Sequence, residues 1–134
     1  ANHLFNQPLA YFGYNGSGKQ VRDLLHPDDL FALFKKQLEK AESISGQVYN
    51  VGGGNEISTS LKEYTDLCSE ITGNSIEIAK REESNIVDVP LYISDYSRAQ
   101  QEFDWTPQKD VRQIITEIHE WLLENEATLK PLFT

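Results

Sequence analysis

Short extended stretches alternate with amphipathic helical patterns along this chain, and that alternation constrains its fold more than any other feature. Residues 9–14 read as extended and residues 21–25 as strand-like, with further short strand candidates at 47–51, 76–79 and 91–94. Between them Leu30, Leu33, Phe34, Leu38 and Ala41 recur at helical spacing, and so do Leu61, Tyr64, Leu67, Cys68 and Ile71. The strongest amphipathic run comes last, with Val111, Ile114, Ile115, Ile118, Trp121 and Leu122 on one face. This order predicts an α/β protein. So few short strands make a thin sheet for a domain standing alone, and they predict a missing neighbour.

The boundaries carry their own signals. Pro27 fits a first helical turn, where its missing N–H is no loss, and Asp28 and Asp29 suit the positive end of that helix as caps. Ser60 with Glu63, and Asp110 with Gln113, have the spacing of capping boxes. Gly73-Asn74 stops one helix, and Asp95 is placed to cap a brief one carrying Ala99 and Phe103. Gly52-Gly53-Gly54 reads as a turn leaving the strand at 47–51, because glycine supplies positive φ. Residues 81–89 are polar and irregular. No repeat or low-complexity tract divides residues 1–134, which read as one unit.

Twelve basic and 21 acidic residues leave a net charge of −9, which argues against nucleic acid or an anionic membrane as partner. A local basic pocket for a phosphorylated small molecule remains compatible with it. No apolar run approaches the ~18 residues of a membrane span, and no signal-peptide pattern opens the chain. The single cysteine, Cys68, makes no internal disulfide, so the expected compartment is the cytoplasm. The absence of methionine suggests a piece of a longer product.

Gly13-Tyr14-Asn15-Gly16-Ser17-Gly18-Lys19 imitates a phosphate-binding P-loop, but Gln20 replaces the Mg²⁺-holding hydroxyl residue. The run that follows, Val21-Arg22-Asp23-Leu24-Leu25, is strand-like, so no helix N-terminus would face the phosphates. Neither this loop nor the glycine triplet has the spacing of a dinucleotide fingerprint. No Tyr is followed four residues later by Lys, and His3, His26 and His119 show no metal-ligand spacing with Cys68. His119 is expected at the surface or boundary of the last helix. The residues therefore predict no self-sufficient active site, no metal and no catalytic residue.

Several segments, taken in order, nonetheless resemble one family. Gly18-Lys19-Gln20-Val21-Arg22-Asp23-Leu24-Leu25-His26-Pro27-Asp28-Asp29-Leu30 is followed by Val48-Tyr49-Asn50-Val51-Gly52-Gly53-Gly54. Then come Asp88-Val89-Pro90-Leu91-Tyr92-Ile93-Ser94-Asp95, Ser97-Arg98-Ala99, Phe103-Asp104-Trp105-Thr106-Pro107 and a final helix with Trp121. Together they resemble the C-terminal, substrate-binding portion of the extended short-chain dehydrogenase/reductases, the nucleotide-sugar epimerases and dehydratases. That implies an incomplete Rossmann-type α/β fold whose NAD-binding and catalytic half is absent from residues 1–134. It also implies a nucleotide-diphosphate sugar as ligand, NAD held only by the other half, and a homo-oligomer at full length.

The resemblance implies particular residues as well. Arg22 matches the family arginine that contacts the diphosphate; a guanidinium forks two N–H groups onto phosphate oxygens, whereas the plainer role is an exposed charge or a salt bridge with Asp23. Phe12 matches the aromatic of the segment lining the base, contributing main chain and ring. Asp88 matches the acid that accepts from a ribose hydroxyl, or else caps a loop. The family pattern Arg-Pro-Gly-Asp is here Asn85-Ile86-Val87-Asp88, so a second phosphate-binding arginine is missing, and Arg81 is the candidate substitute. Asp104 stands where the family carries glycine. Gly18 to Asp23, Leu67 to Gly73 and Asp88 to Asp95 most resemble the branch of 2-epimerases acting on CDP-sugars. Alternatives are a 4-epimerase or 4,6-dehydratase of the same family, or a non-catalytic acidic interaction module.

Overall fold

The computed structural model describes residues 1–81 and 89–133. A strand β1 (Leu9–Phe12) leads through a 3₁₀ turn at Tyr14–Gly16 into β2 (Val21–Asp23) and then α1 (Pro27–Glu39). After a long connection come β3 (Ser58–Ser60), α2 (Leu61–Thr72) and β4 (Ile78–Arg81). The order closes with β5 (Leu91–Tyr92), α3 (Ser97–Phe103), α4 (Val111–Glu124), the single turn α5 (Glu126–Leu129) and a 3₁₀ turn at Lys130–Leu132. β1 pairs in parallel with β4, while β2 lies between antiparallel β3 and parallel β5. The α/β class expected from the pattern is therefore present, as two small sheets with helices around them.

Capping fixes the helices much as the sequence reads. Ser60 and Glu63 form a reciprocal capping box at α2, and Asp110 and Gln113 form another at α4. α1 begins differently: the Nδ1 of His26 accepts from the Asp28 amide at 3.1 Å and takes the N-cap role expected of the aspartates. Asp29 is instead buried, accepting from the Lys109 amide at 3.1 Å, while its own carbonyl accepts from the Trp105 indole at 3.0 Å. At α3 the cap position falls on Tyr96, with the Asp95 carboxylate one residue earlier accepting from the Ser97 amide at 2.9 Å.

The core is small. Leu33, Ala99, Phe103 and Trp105 are buried together, with Leu25, Ile44, Tyr49, Val51 and Tyr96 packed around them. Tyr49 meets Phe103, and Tyr96 meets Trp105, edge to face. A second contact joins α2 to α4, where Ile114, Ile115 and Leu122 are buried. Parts of the first and last predicted apolar stripes stay outside: Phe34 is 50 % exposed, Leu38 75 % and Trp121 53 %. Residues 47–51 form no strand, contrary to their pattern, and β3 pairs with β2 where the sequence showed only a connection.

That difference changes the reading of the glycine triplet. It is not a strand exit. A side chain at Gly53 would come 1.9 Å from the Leu24 carbonyl, and one at Gly52 would come 2.3 Å from Asp23 Oδ2. Close backbone approach, not positive φ, is what requires glycine at these two positions.

Candidate functional site

Strand β2 positions the arginine singled out by the sequence. Arg22 is half-buried on the middle strand, in register with Thr59 on β3 and Tyr92 on β5. Residues in register share a face, so the three side chains form a row of one cation flanked by two hydroxyls. Arg22 Nη1 donates to its neighbour's carbonyl, Val21 O, at 2.7 Å. Among the described residues it has no carboxylate partner. Asp23 points elsewhere: its Oδ2 accepts from the Gly54 amide at 3.0 Å and the Ser94 amide at 3.2 Å, so the Arg22–Asp23 salt bridge does not form. Thr59 and Tyr92 were not singled out from the sequence. The signal for Tyr92 was the extended segment at 91–94, whereas nothing marked 58–60 as a strand.

Phe12 and Arg81 are brought together at the other sheet. They are in register on β1 and β4, and the Arg81 guanidinium lies 5.2 Å from the ring centroid. This cation–π contact places the guanidinium over an exposed aromatic face. The Phe12 carbonyl accepts from the amide of buried Gln20 at 2.5 Å, so Gln20 ties β1 to the residue just before β2. That carbonyl is thereby engaged within the protein. Asp88 and Asn85 lie outside the described residues.

The glycine loop between these strands is a turn. Tyr14 and Asn15 have φ of 47° and 56° and enter a 3₁₀ turn, after which the chain runs directly into β2. No helix follows Lys19, so the amides that a P-loop aims at phosphate are not assembled. Gly18 packs on the Tyr11 ring, where an added side chain would come within 2.8 Å.

Two other groupings of titratable side chains differ in character. A cavity of about 190 Å³ between the N-terminal segment, α2 and α4 is lined by His3, Tyr64, Cys68 and His119 among apolar residues. Burial pushes the Cys68 thiol up and His3 down, which favours the neutral form of each. His119 is at the boundary, as expected, with its Nδ1 buried. The second grouping joins His26, Asp28 and Glu117 within ligand distance of one another. Lys109 already stands among them, its ammonium 2.9 Å from Asp28 and 2.5 Å from Glu117. The cationic position is filled by the protein's own side chain, and the cluster ties the start of α1 to α4.

The fold matches solved enzymes of the Rossmann-type α/β class. A dTDP-glucose 4,6-dehydratase from Bacillus anthracis, solved with NAD, superposes with a TM-score of 0.77 at 28 % identity, over 98 % of this chain and 39 % of that one. Among curated proteins, a CDP-paratose 2-epimerase from Salmonella typhi is 27 % identical over 82 % of this chain and 32 % of its own length. A UDP-glucose 4-epimerase from Corynebacterium glutamicum is 34 % identical over 73 % of this chain and 29 % of its own. No family model matches the chain. The chain belongs to the extended short-chain dehydrogenase/reductases that act as nucleotide-sugar epimerases and dehydratases. It spans about a third of the length of the curated relatives it matches. No helix among the described residues is long and apolar enough to cross a membrane.

Proposed function

We propose that this chain is the C-terminal portion that holds the nucleotide diphosphate of a sugar substrate in an NAD-dependent epimerase or dehydratase. The observation that carries this reading is Arg22: a half-buried guanidinium on a central strand, without a carboxylate partner among the described residues, in a chain of net charge −9. A guanidinium so placed offers two parallel N–H donors to the oxygens of a phosphate. Arg81, stacked on Phe12, supplies a second cation, and the exposed Phe12 ring offers a surface for the base. Asp88 is assigned the ribose hydroxyls.

Within the family we assign the reaction to CDP-tyvelose (CDP-paratose) 2-epimerisation. NAD⁺, held by the other portion, would supply the hydride acceptance and return that inversion at sugar C2 needs, while Arg22, Arg81 and Phe12 of this chain would hold the nucleotide diphosphate. The likeness to the Salmonella typhi protein supports this branch, while the likeness to the Corynebacterium glutamicum protein favours a 4-epimerase as the second reading. In either case the Tyr/Lys pair and NAD belong to the other portion, and residues 1–134 alone turn nothing over. The working protein is assigned to the cytoplasm as a homo-oligomer.

Titrating CDP, UDP, GDP and dTDP by calorimetry into the protein that carries both portions tests the reading. Tight binding of CDP that Arg22→Ala weakens supports it. Preference for UDP moves the assignment to the 4-epimerase. No affinity for any of the four, or catalysis by residues 1–134 alone, overturns it.

A further inference from the structure

His3 is only 6 % exposed, yet among the described residues its imidazole makes no hydrogen bond. Its backbone carbonyl alone is engaged, accepting from the Asn74 side-chain amide at 3.0 Å. The ring lines the cavity between the N-terminal segment, α2 and α4. His119 lines the same cavity, and its Nδ1 is buried without a hydrogen-bond partner among the described residues. A neutral imidazole carries one N–H donor and one acceptor nitrogen, and buried groups of this kind are nearly always paired. Two such rings on one cavity are placed to bond a molecule inside it.

The walls restrict what that molecule is. A volume of about 190 Å³ suits one six-membered ring with a small substituent, since an engineered apolar cavity of about 150 Å³ takes up benzene. Leu9 of β1 and Ile115, Ile118 and Leu122 of α4 make most of the wall carbon. The same space would hold about six waters, each needing two to four polar partners, which such a wall does not offer. Ions fare no better. Burial pushes the Cys68 thiol and the Tyr64 hydroxyl up and His3 down, each away from its charged form. His3, Cys68 and His119 do not all come within ligand distance of one another, as His26, Asp28 and Glu117 do, so a metal ion is not favoured either. A hydroxyl, in contrast, donates to an acceptor nitrogen and accepts from an N–H, so it answers both imidazoles. The rings of His3, Tyr64 and His119 favour an aromatic body over an aliphatic one.

We propose that this cavity is a binding site for a small neutral aromatic alcohol of the size of phenol, with its ring against Leu9 and Ile115 and its hydroxyl turned to the imidazoles of His3 and His119. None of Arg22, Phe12 and Arg81 lines the cavity, so the site does not rest on the functional reading above.

Titration of phenol into the protein carrying both portions, followed by NMR, tests the proposal. Phenol is expected to saturate with a dissociation constant of about 1 mM or tighter, within what so small a ligand can supply. Its ring protons should show Overhauser contacts to the methyls of Leu9 and Ile115. Benzene lacks the hydroxyl and cyclohexanol lacks the aromatic ring, and each should bind about tenfold more weakly or worse. Ile118→Trp, at a position 43 % exposed, narrows the cavity and should weaken phenol about tenfold or more while the circular dichroism spectrum stays unchanged. His119→Phe keeps a ring but removes the nitrogens, and should bring phenol towards the affinity of benzene. Absence of saturation at about ten times the expected constant overturns the proposal, because water alone then occupies the cavity. Benzene or cyclohexanol binding as tightly as phenol overturns it as well, and so does phenol binding that neither variant alters. Nucleotide titrations have no bearing on these outcomes, so failure here leaves the functional reading standing, and the reverse.

Discussion

At the scale of single residues, the chemistry of Arg22 is specific to its planar fork. Lysine at that position keeps the charge but not the two parallel N–H donors, so Arg22→Lys is expected to lose most of the affinity that Arg22→Ala loses. The loss of charge-assisted hydrogen bonds is about 1.5–3 kcal/mol, or roughly 10- to 150-fold in the dissociation constant for a nucleoside diphosphate. Calorimetry on the two-portion protein reads this directly, and a lysine variant that binds as well as the parent removes the bidentate role. Gly53 makes an opposite kind of demand, because an added methyl would meet the Leu24 carbonyl at 1.9 Å. Backbone cannot step aside as a flexible side chain can. Gly53→Ala is therefore expected to destabilise by about 1–3 kcal/mol or to prevent folding, as read by the denaturation midpoint. The sequence showed these glycines as a cluster; it could not show that their reason was steric approach, since the atoms they face are some thirty residues away at Asp23 and Leu24.

At the scale of elements, what was legible followed from local rules. The capping boxes at Ser60 and Asp110 depend on residues three apart, and both formed as the spacing predicts. Ser60→Ala removes the acceptor for the Glu63 amide and should cost about 0.5–2 kcal/mol, measured by urea denaturation. The failures came where pairing is long-range. Residues 47–51 have strand composition but no strand beside them, and β3 has a serine- and threonine-rich sequence yet is held by β2. Residues 81–89 hold part of the expected site, Asp88, beyond the described residues. The tie between α1 and α4 was equally invisible, because Lys109 meets Asp28 across 81 positions of sequence. The hydrogen bond from the Lys109 ammonium, then its charge and that of His26, hold the Asp28 carboxyl below its ordinary range. A depressed folded value means that stability is gained above the unfolded carboxylate pKa, about 3.9, and lost as pH falls through the lower folded value. Melting temperatures of the parent and Asp28→Asn should thus differ near neutral pH and converge in acid. A constant difference down to the acid limit would show that Asp28 acts by packing alone.

At the scale of the whole molecule, the two small sheets leave the chain with a narrow margin. Its deepest cluster is four side chains, Leu33, Ala99, Phe103 and Trp105, and Phe34, Leu38 and Trp121 of its apolar stripes are exposed. Small domains bury a lesser share of their surface, and domains of this class retain only about 5–15 kcal/mol in total. Phe103 is the hinge of that cluster: Tyr49 packs on its ring edge-on and the Lys40 ammonium lies over it. Truncation to alanine in such a site costs about 3–5 kcal/mol, because the cavity it leaves is only partly refilled. That is a large fraction of the margin, and Tyr49 would lose its support at the same time, loosening residues 47–51 with it. Phe103→Ala is therefore expected to unfold residues 1–134 at moderate temperature. Thermal melts of the parent and the variant, followed by circular dichroism, read the loss directly. A melting temperature equal to the parent's would mean that the cluster refills the space of the Phe103 ring and is not what limits stability.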